Sequence, residues 1–384
     1  MRKKPNSRTT SLMKKIWLNS YIFLFGFILL IPTVIKVLDI DINPNLNEKR
    51  EILKAPSFKL NKEFTKDFEN YYNNNFGLRS FLVELNASLK INFLNVSPHP
   101  LSVKFGNQGF LFYNKNDIYQ SYSNNNIMTP EMISQAFKTQ IEIKDSLRER
   151  DIQYLIGFFP NKHTIYNENL PFSMKIQKKR EISLADQVAS YFKERKFSII
   201  DVRKDMINAK SKNQLYYKFD THWNSFGGYI GYQSFCKQTF SELKLTPYKL
   251  KDFDISYREI AKGDLTNMLG IESMTSIVDT YPVFNINNKD LAFSYTKIEG
   301  LPEKSIVTTN ETCQNKKTIL ILGDSYGNAF YQFLSLHYSK LVYVRRRFPD
   351  EKVIQLVKPD IILNLSVERF FQINITNAEK SKYS

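Results

Sequence analysis

Two cysteines, Cys236 and Cys313, are all that 384 residues contain. A pair permits one disulfide in an oxidising compartment but builds no cysteine framework. Histidine is nearly as scarce. His99, His163, His222 and His337 show no metal-ligand spacing among themselves or with the cysteines, so no zinc, and no other metal or cofactor, is expected. Also missing is a basic block outside the N-terminus. The net charge is +16, and six of the basic side chains (Arg2, Lys3, Lys4, Arg8, Lys14, Lys15) fall in residues 1–15, which hold no acid. The others are spread through mixed-sign segments, which describes a solvated basic surface and argues against a nucleic-acid partner. There is no internal repeat and no low-complexity tract beyond Asn-rich patches. With 42% hydrophobic and 24% charged residues, the composition is that of a globular chain long enough for a large core.

Residues 16–38 read IWLNSYIFLFGFILLIPTVIKVL, with Lys36 the one charge. Lipid offers the backbone no hydrogen bonds, so a membrane span needs about 20 such residues in a helix. A buried core helix would show a polar stripe, and none is present. A cleaved signal would have a shorter apolar run and a small-residue cleavage site, and residues 31–35 (IPTVI) offer neither. The preceding positive charges hold the N-terminus in the cytoplasm. The expected organisation is a cytoplasmic tail at 1–15, a transmembrane anchor at 16–38, a juxtamembrane linker at 39–60 and a catalytic domain at 61–384. A single-pass protein of the cytoplasmic (inner) membrane with an extracytoplasmic, periplasmic domain follows.

Beyond the linker, Phe64, Phe68, Tyr71 and Tyr72 recur at helical spacing, and Phe81, Leu85 and Leu89 continue a second run after Gly77. Short apolar segments then appear at 101–105, 109–113, 152–159, 197–202, 318–322, 341–344 and 361–365. Amphipathic helical stretches at 130–149, 184–196, 226–240 and 327–338 lie among them. Strands alternating with helices predict an α/β fold, a parallel sheet flanked by helices.

The strongest chemical signal is Thr318-Ile-Leu-Ile-Leu322 followed by Gly323-Asp324-Ser325-Tyr326-Gly327. A buried strand there runs into a glycine-flanked serine that opens a helix. This places the Ser325 hydroxyl at the carboxyl end of a sheet, beside backbone N–H groups that favour developing negative charge. An ordinary capped strand–turn–helix would read the same way. The serine spacing also fits an α/β-hydrolase elbow, but that fold places its histidine after the serine. Here only His337 follows, within the helix that Ser325 would begin. Upstream stands Asp220-Thr221-His222-Trp223-Asn224-Ser225. An acid two residues before a histidine can hold its Nδ1 and leave Nε2 free to take a serine proton. A helix cap with a surface histidine is the plainer account of that pattern alone. Together with the Gly-Asp-Ser turn it points to a Ser325, His222, Asp220 triad.

Asp220-Thr221-His222-Trp223 and Gly323-Asp324-Ser325-Tyr326-Gly327-Asn328 resemble the alginate O-acetyltransferase AlgJ/AlgX group of SGNH-like proteins, in which Asp-x-His-Trp precedes Gly-Asp-Ser. Phe76-Gly77-Leu78-Arg79 resembles that family's leading helix, and Gly106-Asn107-Gln108-Gly109-Phe110-Leu111-Phe112 its Gly-x-x-Gly-Trp-Leu-Phe strand, with Phe110 for Trp. Pro160-Asn161-Lys162 resembles its strand-end loop, and Glu368-Arg369-Phe370 its late Glu-Arg segment. The resemblance covers roughly residues 60–375. With no sign of an added carbohydrate-binding module, it lies nearer AlgJ than AlgX.

What the resemblance implies is acetyl transfer to an exported or cell-surface polysaccharide. Ser325 would carry the acetyl, His222 would serve as base then acid, and Asp220 would orient His222. An integral-membrane O-acyltransferase would supply the acetyl donor. Arg347 matches a family arginine and, with Asn328 and the strand-end Lys162, is a candidate for substrate or oxyanion contact. For Lys162 and its neighbour His163 a structural loop is the plainer role. Tyr326 and Trp223 would stack on sugar rings or wall the pocket. Two rivals stand beside this reading: a carbohydrate acetyl esterase using the same triad, and a non-catalytic polysaccharide assembly protein.

Overall fold

The computed structural model describes residues 7–38, 40, 53–59, 61–260, 263–271 and 278–376, with side chains from residue 17 onward. Most of the expected linker (39, 41–52 and 60) and residues 1–6 of the expected tail lie outside the described residues. Residues 53–59 form no helix or strand. The chain divides into two compact units, residues 1–98 with 269–274, and residues 99–268 with 275–384. Residues 61–98 fall in the first of these units.

In the first unit, the helix Ser7–Val37 starts well before residue 16. Its portion Trp17–Val37 has a mean hydropathy of 2.1 and is long and apolar enough to cross a membrane. Two further helices follow, Lys62–Asn74 and Arg79–Leu94. Asn61 starts the first by accepting a hydrogen bond from the Phe64 N–H at 2.8 Å, which satisfies one of the four unpaired N–H groups of a helix start.

Among the described residues the second unit holds eleven strands, β1 (Val103–Phe105), β2 (Leu111–Tyr113), β3 (Gln153–Phe159), β4 (Ile199–Asp201), β5 (Phe253–Ile260), β6 (Asp279–Ile286), β7 (Ser294–Thr296), β8 (Ile306–Thr309), β9 (Thr318–Leu322), β10 (Lys340–Val344) and β11 (Ile361–Val367). Seven of them form the central sheet in the order β4-β3-β11-β9-β10-β8-β7. From β4 to β10 all pairs are parallel, as expected, and β8 and β7 join antiparallel at one edge, so the sheet is mixed. The apolar segments 101–105 and 109–113 do not enter it. Their core pairs as the separate hairpin β1–β2.

Strands β9, β10 and β11 are apolar on both faces because both faces are covered. Alternate residues supply two cores. Ile319, Ile321, Leu341, Tyr343, Leu363 and Leu365 face the side of the helix Ser225–Gln238, through Phe226, Tyr229 and Phe235. Leu320, Leu322, Val342, Val344 and Ile362 face the helices Pro130–Arg148, Leu184–Glu194 and Glu351–Val357. Each fully buried Leu or Ile contributes on the order of 1.5–3 kcal/mol. The strand that delivers Ser325 is therefore firmly anchored, with Ile319, Leu320, Ile321 and Leu322 all buried.

Candidate active site

Directly after β9 the chain turns through Gly323 and Asp324 into a short 3-10 stretch, Ser325–Ala329. The continuous helix expected at 327–338 is instead three pieces, the second Tyr331–Leu334 and the third Ser335–His337. A five-residue stretch builds little dipole, so local N–H groups rather than a helix macrodipole must meet any charge developing near Ser325. Asp324 explains the tight turn. Its Oδ1 accepts from the Tyr326 N–H at 3.1 Å and its Oδ2 from the Val367 N–H of β11 at 2.7 Å, while its carbonyl accepts from the Tyr343 hydroxyl of β10. The serine turn is thus tied to both neighbouring strands.

His222 arrives on a loop that closes on itself, since Tyr216 and Trp223 pair as a β-bridge and the Asn224 N–H donates to the Leu215 carbonyl at 2.9 Å. Asn224 then caps the helix Ser225–Gln238 through the Gly227 N–H at 3.1 Å. That helix runs close to the serine turn. A Cβ on Gly228 would overlap the Ala329 carbonyl oxygen, so only glycine permits the approach.

Between loop and turn runs a continuous chain of hydrogen bonds. The Ser325 Oγ lies 2.6 Å from His222 Nε2, and His222 Nδ1 lies 2.6 Å from Asp220 Oδ1, which also accepts the His222 backbone N–H at 2.9 Å. A second acid, which the sequence reading missed, completes the cluster. Asp264 accepts from the N–H of Thr221 at 2.7 Å and from its hydroxyl, and its own N–H donates to Asp220 Oδ2 at 2.9 Å. Its carboxylate stands 3.7 Å from His222 Nδ1. Gly263 allows this, because a Cβ there would overlap the Phe219 carbonyl oxygen. Asp220, His222 and Asp264 are spaced closely enough to hold a cation, with ligand atoms within 4.8 Å. The nearer oxygens, however, already accept N–H and O–H donors, which fits a proton-handling cluster better than a metal set.

Burial raises the Asp220 carboxyl, but the hydrogen bond and charge of His222, with the backbone N–H groups of Asp264 and His222, outweigh it and hold the group down at about 2. Burial lowers His222, yet the Asp220 hydrogen bond and the charges of Asp220 and Asp264 leave it above the ordinary histidine value. Burial, then the neighbouring Asp220 charge, push Asp264 upward. The cluster thus keeps one carboxylate firmly ionised and stabilises the charged form of the imidazole relative to an isolated histidine, an arrangement suited to a group that takes up a proton.

The other sequence candidates take different places. Trp223 and Tyr326 are both buried. The Trp223 indole N–H donates to the Tyr326 carbonyl at 2.7 Å, and the Tyr326 hydroxyl donates to the Thr221 carbonyl at 2.6 Å. They clamp the two motifs together rather than offering faces to a sugar. Lys162 is buried and donates to the carbonyls of Leu111, Lys218 and Asp220 at 2.7, 2.8 and 3.0 Å. Burial drives its pKa down to about 7, against the pull of Asp264, Asp220 and Asp279. With all three donors spent on carbonyls it pins the Asp220 loop to β2. His163 is likewise internal, bonded to the Tyr113 carbonyl at 2.9 Å and stacked on Tyr122. Arg347 is half-buried, its guanidinium 4.5 Å from the Phe370 ring, and Asn328 is exposed on the serine turn. Of the late Glu-Arg segment, Glu368 accepts from the Asn161 N–H at 2.9 Å and the Thr164 hydroxyl at 2.5 Å, while the Arg369 guanidinium lies 5.6 Å from the Tyr326 ring. His337 pairs with the Tyr232 hydroxyl at 2.6 Å, away from Ser325. Cys236 and Cys313 are buried and unpaired, so the disulfide left open by the sequence is not formed.

Parallel strands order this sheet, a serine turn follows β9, and a histidine loop precedes it in sequence: together these define an α/β protein of the SGNH-like class. A family model described as "SGNH hydrolase-like domain, acetyltransferase AlgX" matches residues 103–345, more than half of the chain, and the chain belongs to that family. Among curated proteins, the "Probable alginate O-acetylase AlgJ" of Pseudomonas putida is 27% identical over 140 residues, 35% of this chain and 34% of that protein, so the match spans about a third of the relative. Among solved structures, Bacillus cereus PatB1 superposes with a TM-score of 0.50 at 16% identity, covering 68% of this chain and 95% of that one, a likeness of fold. The O-acetyltransferase domain of Pseudomonas putida AlgJ gives 0.46 at 17% identity, covering 71% and 93%.

Proposed function

We propose that this chain is an O-acetyltransferase that acetylates an exported or cell-surface polysaccharide through an acetyl ester on Ser325. The observation that carries the proposal is the unbroken Ser325–His222–Asp220 chain, with both contacts at 2.6 Å. A serine hydroxyl is a poor nucleophile at neutral pH unless a base stands at its proton. His222 Nε2 takes that proton as Oγ attacks the donor's acetyl carbonyl. Asp220, held ionised, stabilises the resulting imidazolium and fixes its tautomer. The tetrahedral oxyanion is met by N–H groups of the serine turn, that of Ser325 first. His222 returns the proton to the departing donor group, leaving acetyl on Ser325. In the second half-reaction His222 deprotonates a sugar hydroxyl, which attacks the acetyl-serine; as the acyl–Oγ bond breaks His222 returns the proton to Ser325 Oγ, and the acetyl leaves on the sugar.

Family membership supports acetyl transfer, and the names of the relatives point to alginate-like polymers as the kind of acceptor. The apolar helix Trp17–Val37 is compatible with a single-pass anchor. With the N-terminal charges kept in the cytoplasm, the second unit works outside the cytoplasmic membrane, in the periplasm. There it receives acetyl from an integral-membrane O-acyltransferase. The test is two-part turnover: purified chain, an activated acetyl ester and an oligosaccharide acceptor. Acetylated sugar formed in proportion to the acceptor supports transfer. Release of free acetate alone, unaffected by acceptor, would instead identify an esterase.

A further inference from the structure

The segment Phe76-Gly77-Leu78-Arg79 plays no part in the serine site, yet within the first unit it meets the apolar helix. Gly77 packs so tightly on the Pro32 carbonyl that a Cβ there would overlap its oxygen. One turn earlier, the Tyr72 and Thr33 hydroxyls share a hydrogen bond at 3.1 Å. Pro32 and Thr33 belong to the last two turns of Trp17–Val37. At 1.5 Å per residue, Pro32 sits about 7.5 Å inside the end of that helix. When the helix crosses a membrane, whatever touches Pro32 is therefore at the boundary between headgroups and acyl chains, the depth of ~5–10 Å at which interfacial helices rest.

The helix Arg79–Leu94, which starts at this contact, wears its apolar side outward. Ser80, Val83, Glu84, Ala87, Lys90 and Ile91 recur at helical spacing and are buried or half-buried. The opposite face carries Phe81, Leu82, Leu85, Leu89 and Phe93, which are 42–81% exposed. A helix facing water turns its polar residues out, whereas here Glu84 and Lys90 turn in and leucine and phenylalanine turn out along the whole length. Next to it Phe58, Phe64, Phe68, Tyr72 and Phe76 form a run of rings with neighbouring centroids 5.0–6.4 Å apart, of which Phe58, Phe68 and Tyr72 are exposed. Amphipathic rings such as tyrosine concentrate at the membrane–water boundary. Charge selects no partner for this face: residues 62–94 hold four basic side chains (Lys62, Lys66, Arg79, Lys90) and four acidic ones (Glu63, Asp67, Glu69, Glu84). What identifies the occupant is the tie to Pro32 and Thr33, which brings the apolar face to the surface where the span ends.

We infer that the helix Arg79–Leu94 lies in the lipid surface, with Phe81, Leu82, Leu85, Leu89 and Phe93 inserted among the acyl chains of the leaflet at which Trp17–Val37 ends. The first unit is then held by lipid at two places, the span and this helix. The inference rests on the reading of Trp17–Val37 as a membrane anchor. Photolabelling tests both separately. The full-length chain is reconstituted in phosphatidylcholine nanodiscs containing a phosphatidylcholine with a diazirine on the upper part of one acyl chain, irradiated, digested and mapped by mass spectrometry. Adducts should appear on residues 79–94 as well as on 17–37. In the Leu85→Glu/Leu89→Glu variant, both changes falling on exposed side chains, adducts on 79–94 should be lost and those on 17–37 kept, with helix content checked by circular dichroism. Adducts confined to 17–37 in the unaltered chain would overturn the inference and leave the anchor standing, the face then being covered by protein. Labelling of 79–94 that survives in the variant would overturn it as well. Adducts on neither segment would overturn the inference and the anchor together.

Discussion

The Tyr326 hydroxyl donates to the carbonyl of Thr221 at 2.6 Å, so the residue after the serine is bonded to the residue before the histidine. Trp223, the residue after the histidine, answers with its indole N–H on the Tyr326 carbonyl. Two segments about a hundred residues apart are thereby held with Ser325 and His222 in register, which is what a short Oγ–Nε2 contact demands.

Tyr326→Phe keeps the buried ring but leaves the Thr221 carbonyl without its partner. The expected cost is about 1–3 kcal/mol of stability. Acylation of Ser325 should slow more than donor KM rises, because geometry rather than binding is lost. Thermal unfolding and steady-state kinetics check this together. Kinetics indistinguishable from wild type would show that the clamp does not position the pair.

The pH profile follows from the charges around His222. Only neutral His222 can accept the serine proton, and its folded pKa lies above the ordinary value of about 6.5. The acylation rate should therefore fall on the acid side, with a midpoint above that value. Asp264→Asn removes one of the charges that raise His222, so the midpoint should move to lower pH, with the serine turn unaltered. A midpoint that stays in place in Asp264→Asn would remove Asp264 from the proton-handling cluster.

Lys162→Met deletes three hydrogen bonds to carbonyls of β2 and the Asp220 loop. A loss of at least about 2 kcal/mol is expected, together with faster hydrogen exchange in residues 215–224. Were Lys162 a substrate contact instead, KM would rise while exchange in that loop stayed as in wild type.

Topology has its own test. Protease added to cells with a permeabilised outer layer should digest the second unit while the cytoplasmic membrane is intact. Protection until that membrane is broken would contradict an external catalytic unit.

The sequence showed what is continuous or forced by scarcity. β9 is an uninterrupted apolar run ending in Gly-Asp-Ser, and with four histidines the choice of a partner for Ser325 was short. Asp264 was invisible because it meets Thr221 across 43 residues, and its own surroundings form no motif. Lys162 carries no sequence mark of burial, since the carbonyls that accept its hydrogen bonds come from two distant segments. The strands β5 and β7 escaped notice for a different reason. β5 is mostly exposed, β7 is exposed throughout, and neither shows the apolar alternation that betrays a half-buried strand. The helix expected after Ser325 has helical spacing of its apolar residues, but Asp324 and Tyr343 hold the turn too tightly for a regular helix to start there.

The most direct measurement is mass spectrometry of the purified chain after brief exposure to an acetyl-ester donor without acceptor. Acetyl should appear on the peptide containing Ser325, be absent from Ser325→Ala, and be nearly absent from His222→Ala, since members of a catalytic unit fail together. Added oligosaccharide should then discharge it. Acetylation that persists elsewhere with unchanged yield in Ser325→Ala, or none on Ser325 in the wild-type chain, would contradict an acetyl-serine mechanism.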